Sequence, residues 1–139
     1  MTEASNNAEA AQSQWAREQF QKANRFLAEK GIIPNKVMVA ESRYFAPYVA
    51  VWKIAATRPS KAVYWVISGD LPTDLVSADA AKDAREVLRH FSLAWQLKAE
   101  NLIQNGLRDN TQKQYAGLLI SRAESLFAMY QDEKIWQQA

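Results

Sequence analysis

Apolar residues recur along this chain with two spacings, and the change from one to the other separates a helical start, a stranded middle and a helical end. Trp15, Phe20, Ala23 and Leu27 fall near one face of a helix, and Phe26 widens that face. Asn6 followed by Glu9 has the spacing of a capping box, whereas Gly31 and Pro34 supply a stop. The pattern therefore predicts a first helix over about 8–30, with residues 1–7 fraying.

Strand spacing takes over next. Lys36 to Glu41 alternates weakly and reads as a short edge strand, and Arg43-Tyr44-Phe45-Ala46-Pro47 reads as an aromatic-rich connection. From Tyr48 to Ala55 the alternation is clearer. Val49, Val51 and Lys53 share one face, while Tyr48, Ala50, Trp52 and Ile54 share the other, which is the expected core side. Ala62 to Ile67 is continuously apolar and rich in β-branched and aromatic types, as a central strand covered on both faces would be. Thr57 to Lys61 is a turn with Pro59 in it, so the two strands are expected to form an antiparallel hairpin. Beyond Ser68, the glycine, proline and carboxylates of Gly69 to Val76 predict a shaped loop.

Helical spacing then returns. Ser77 is the expected N-cap of a long helix whose stripe is Leu88, Phe91, Trp95, Ala99 and Leu102, ending at Gly106. Asn110 or Asp109 caps a last helix with the stripe Tyr115, Leu119, Ala123, Leu126 and Tyr130. The short connection between them predicts an antiparallel αα-hairpin. The expected fold class is α+β: a small antiparallel sheet of two or three strands packed against three helices, in a single domain spanning 1–139.

Composition narrows the function classes. A 139-residue chain that is 48% hydrophobic, with five Trp, suits one globular core. A net charge of +2, with no run of Lys or Arg, gives no footprint for nucleic acid. Cysteine is absent, so neither disulfides nor thiolate chemistry is open to the chain, and a reducing compartment is compatible. No secretory signal is recognisable and no stretch approaches the length that spans a bilayer, so a cytoplasmic protein without a membrane partner is expected.

Candidate chemistry is sparse. His90 is the single histidine, and without a Gly-x-Ser-x-Gly elbow or a metal-binding His pair it reads as a boundary or surface residue. Asp70 and Asp74 are able to hold a hard cation or do acid–base work, but the same residues cap amides in sharp turns, which is the favoured reading. With Thr73 between them they form the candidate binding loop. Ser68-Gly69 lacks the glycines of a phosphate cradle. Of the aromatic set Tyr44, Phe45, Tyr48, Trp52, Tyr64 and Trp65, most are expected in the core, and Tyr44 and Phe45 are the ones expected at the surface as binding residues. Ile135 and Trp136 either dock on the body or stay exposed for a partner. No catalytic residue, cofactor or metal ligand is assigned.

Trp65-Val66-Ile67-Ser68-Gly69-Asp70-Leu71-Pro72-Thr73-Asp74, together with Ala46-Pro47-Tyr48-Val49-Ala50-Val51-Trp52, resembles a small bacterial family, domain-of-unknown-function family four-eight-two-six. The resemblance covers the chain from about Trp15 through the third helix. It implies a compact bacterial cytoplasmic domain and brings no established activity or catalytic residue. The leading expectation is a non-catalytic interaction or regulatory protein that uses the Gly69 to Val76 loop and nearby aromatics to bind another protein, and a homodimer is compatible with it. A metal- or ligand-binding protein or enzyme using Asp70 and Asp74 is the alternative, and an immunity-type partner of a secreted bacterial toxin is a narrower one.

Overall fold

A computed structural model describes residues 3–137, and the chain divides after Asp79 into two compact units. In the first unit, helix α1 (Glu3–Glu29) is followed by strands β1 (Ile33–Val37), β2 (Arg43–Phe45), β3 (Val49–Arg58), β4 (Val63–Gly69) and β5 (Asp74–Ser77). All pairings are antiparallel. The sheet order is β1-β3-β4-β5, and β2 also pairs with β3, beside its first residues. The fold class is α+β as expected, with five strands among the described residues where the sequence predicts two or three.

The core of this unit lies between α1 and one face of the sheet. Ala23 and Leu27 of α1 meet Ile54 and Ala56 of β3, Val66 of β4 and Ile32, with Phe20, Trp52, Tyr64 and Leu75 packed against them. Burying a side chain the size of Leu27 or Ile54 is worth about 1.5–3 kcal/mol, which is why the i, i+4 stripe of α1 fixes the face it presents. The expected core face of β3 is thus the observed one at Ala50, Trp52 and Ile54. Tyr48 departs from it: it lies in the β2–β3 turn, where its amide donates to the Phe45 carbonyl at 2.8 Å, and it is 62% exposed. Val49, Val51, Trp65 and Ile67 are also buried on the opposite face of the sheet, so β3 and β4 carry apolar residues on both sides.

Several expected boundaries move. The first helix starts at Glu3, so Asn6 lies inside it and not at its N-terminus. Of residues 1–7, for which fraying is expected, residues 1–2 fall outside those described. The first strand is Ile33–Val37 in place of Lys36 to Glu41, and Pro34 sits in it at an irregular register on the sheet edge, where a missing amide costs no ladder bond. Arg43 to Phe45 is a strand and not a connection, because the length of β3 leaves partners for it at Val51, Ala50 and Val49. The Gly69 to Val76 loop shortens to a turn, since Asp74 to Ser77 pairs back onto β4.

One turn of 3₁₀ helix, Ala78–Ala80, follows β5 and spans the division between the units. Ser77 Oγ accepts weakly from the Asp79 amide at 3.4 Å and starts this turn only, and Asp83 caps the long helix by accepting from the Glu86 amide at 2.9 Å. Helix α2 (Ala84–Gln104) ends ahead of Gly106, whose φ of +84° is the left-handed stop that glycine favours. Helix α3 (Asn110–Gln131) is capped by Asp109 through the Gln112 amide at 2.8 Å. Arg85 Nε donates to the Tyr130 carbonyl at 2.8 Å and Ser92 Oγ to the Ala123 carbonyl at 2.7 Å, so α2 and α3 run antiparallel as the expected hairpin. A last turn, α4 (Glu133–Trp136), folds back so that Trp136 Nε1 donates to the Met129 carbonyl at 2.9 Å, which docks the C-terminal tryptophan.

Candidate functional site

Between β1 and β2 the chain turns on Met38, whose carbonyl accepts from the Ser42 amide at 3.1 Å and from Ser42 Oγ at 2.9 Å. The same hydroxyl accepts from the Lys53 amide at 3.0 Å, which pins the turn to β3, and Lys53 Nζ pairs with Glu41 at 3.2 Å. Pinned in this way, the turn leaves Val39 75% exposed beside the middle of α1. Tyr44 pairs with Ala50 and so lies on the α1 side of the sheet, with its ring 6.4 Å from that of Trp15 and 41% exposed.

These segments enclose an open groove of about 280 Å³ lined by Ala16, Arg17, Phe20, Val37, Val39, Ser42, Tyr44 and Trp52. Phe20 and Trp52 form a tilted pair with ring centres 5.2 Å apart. Trp52 is held from beneath: its indole Nε1 donates to Ser68 Oγ at 3.2 Å, and that hydroxyl donates to the Gln19 carbonyl at 3.1 Å. One buried serine thereby ties β3, β4 and α1 together and fixes the wall of the groove. The Ser42 hydroxyl is engaged with backbone, so the charged group facing the groove is Arg17.

The carboxylates singled out from sequence occupy a different place. Gly69 has φ +139°, and a Cβ there would run into the Tyr48 carbonyl oxygen, so the turns 45–49 and 69–74 meet at one end of the sheet. The Asp70 amide donates to that carbonyl at 3.0 Å, and the Asp70 side chain is exposed. Asp74 pairs with Ile67 in the ladder, and its Oδ1 accepts from the amide of the next residue, Leu75, at 2.8 Å. Thr73 is half-buried between them. Among the described residues, no three His, Cys, Asp or Glu side chains come together as a metal set. Phe45 pairs with Val49 on the face opposite Tyr44, under the Arg43 guanidinium at 5.7 Å from its ring centre.

Of the residues expected to bind, then, Tyr44 joins the groove, whereas Phe45 faces the other way and Asp70, Thr73 and Asp74 sit at the β4–β5 turn. His90, in the second unit, is half-buried with its ring edge-on to Phe91 at 5.2 Å. Sequence reasoning missed Val39, Arg17 and the groove itself, because Phe20 and Trp52 look like ordinary core positions. Val39 gave no local signal either, since it lies among Val37, Met38 and Ala40 in a tract that reads as an edge strand.

No curated protein and no solved structure matches the chain. A family described as Domain of unknown function (DUF4826) matches residues 9–136, a span that takes in most of α1, the whole sheet and the αα-hairpin. With so much of its length matched, the chain belongs to the DUF4826 family.

Proposed function

We propose that this is a bacterial cytoplasmic protein acting as a non-catalytic interaction module, whose groove between α1 and the β1–β2 edge receives an apolar side chain of a protein partner with a carboxylate beside it. The observation that carries the reading is the groove itself: exposed Val39 and Tyr44 over a floor of Phe20 and Trp52, with Arg17 as the charged group at the rim. Enzyme and metabolite sites combine an apolar wall with several converging polar groups, and this groove has no such convergence. An aromatic-lined slot with one cation suits the anchor residue of a protein interface. The lack of cysteine and the bacterial resemblance of the chain support the assigned setting.

The test is capture from native lysate of the source organism, with the wild type and Val39→Asp compared side by side. Val39 is mostly solvent-exposed, so the variant melts like the wild type. A stoichiometric protein retained by the wild type and lost by Val39→Asp is the expected result, and a secreted toxin as that protein would make the chain its immunity-type partner. A partner retained equally by both proteins would move the site elsewhere. One lost only with Asp70→Asn, or a metal or metabolite held in place of a protein, would favour the reading built on Asp70 and Asp74.

A further inference from the structure

The exposed side of α2 carries a second apolar strip. Leu93 is 47% exposed and Leu97 is 62% exposed, one helical turn apart, on the side opposite Leu88, Phe91, Trp95 and Ala99, which are buried. Continuing the same strip by steps of three and four residues gives Glu86 and His90 on the N-terminal side and Glu100 and Gln104 on the C-terminal side, with Arg89 flanking His90. Arg89 and His90 thus lie directly before the leucines, with Glu86 a turn further towards the N-terminus accepting from the Tyr130 hydroxyl at 3.4 Å, and Glu100 lies after them, accepting from Gln104 Nε2 at 3.3 Å. Beside these side chains is a shallow hollow of about 310 Å³, lined by Glu86, Arg89, His90, Leu93, Ala94 and Leu97 of α2 and by Ala80 ahead of the helix.

We infer that this face of α2 is a self-association surface that takes a second copy of the chain, with the two α2 helices crossing antiparallel about a two-fold axis at the level of Trp95. That axis sets Leu93 against Leu97 of the second copy and Leu97 against its Leu93, which is the self-complementarity an isologous contact requires. It also sets His90, and Arg89 beside it, against the second copy's Glu100, and Glu86 against its Gln104, so no like charges are opposed along the strip. Each Leu97 then enters the hollow around Leu93 and Ala94 as a knob enters a hole. A parallel crossing would stack Glu100 on Glu100 and Arg89 on Arg89, and a partner of other chemistry would have no reason to match both ends of the strip. The contact uses one helix face, which is small for a permanent interface, so the association is weak and concentration-dependent. It involves the second unit and stands independently of the groove reading.

Sedimentation equilibrium on the full chain, from about 10 μM to about 1 mM, tests this. The wild type is expected to move from the 15.8 kDa monomer towards twice that mass. Leu97→Asp should stay monomeric throughout while melting as the wild type does at low concentration, because the side chain is mostly exposed. Glu100→Arg should weaken association about tenfold or more by facing Arg89 and His90, and the double variant Arg89→Glu with Glu100→Arg should restore it. A wild type monomeric up to the highest concentration would overturn the inference. So would a dimer that persists in Leu97→Asp, or a double variant no better than Glu100→Arg alone.

Discussion

Replacing Gly69 by alanine tests the meeting of the two turns at the end of the sheet. The backbone there has φ +139°, a conformation that side-chain-bearing residues rarely adopt, and holding an alanine in it costs about 1–3 kcal/mol. The added Cβ also lands on the Tyr48 carbonyl oxygen, with Val49 Cα at 3.0 Å, and both are backbone atoms that no rotamer change can move aside. Displacing that carbonyl breaks its 3.0 Å bond from the Asp70 amide, a further loss of about 1 kcal/mol. Together these give about 3 kcal/mol for Gly69→Ala. Gly31→Ala is the matched control in the same unit, since Gly31 also has a positive φ, +78°, but its Cβ would meet nothing within 4 Å. It should cost only the backbone term, about 1 kcal/mol. Urea titrations of the two variants should therefore differ by about 2 kcal/mol, roughly a thirtyfold change in the unfolding constant. Equal losses in the two proteins would refute the close approach of Gly69 to Tyr48.

Two further substitutions probe the supports of the fold. Ser68→Ala should cost about 1–3 kcal/mol in chemical denaturation, because it leaves the partly buried Trp52 indole N–H without its acceptor, and a loss below about 0.5 kcal/mol would deny the serine its bridging role. Asp83→Ala should destabilise by about 1 kcal/mol while Asp83→Asn and Ser77→Ala stay near neutral, since Asp83 caps α2 and Ser77 starts only the short turn before it; the reverse order in thermal melts would return the cap to Ser77.

The parts of the fold that could be read from sequence were those where one pattern dominated. The β3–β4 hairpin was legible because its two strands are long and apolar around a proline turn, and the αα-hairpin because each helix keeps one stripe between a cap and a stop. The short strands were not. β2 has three residues and β5 has four, and what makes them strands is the pairing that β3 and β4 offer, a tertiary effect with no local signature. In Gly-Asp-Leu-Pro-Thr-Asp the turn residues are conspicuous enough to hide the strand that follows. At the start of α2 two good caps compete, Ser77 and Asp83, and the sequence does not say that a 3₁₀ turn fills the gap between them. The groove escaped notice for a different reason. Its walls come from three separate segments, 16–20, 37–44 and Trp52, and the pairing of β1 and β2 with β3, together with the packing of α1 on the sheet, brings them to one place.

Strand β3 pairs with β4 along one side, and on the other side with β2 over its first residues and β1 over its last. It therefore acts as the common ruler against which three neighbours are aligned. A residue inserted near Trp52 would turn every later side chain to the opposite face, setting β1 and the outer half of β4 out of step with β2 and misdirecting Ile54 and Ala56. One inserted within Pro59 to Lys61 would only enlarge a loop. Length variation among members of the family should accordingly gather at the sheet's turns and spare β3, and the same distinction marks where a tag or a reporter domain can be spliced into this unit without unfolding it.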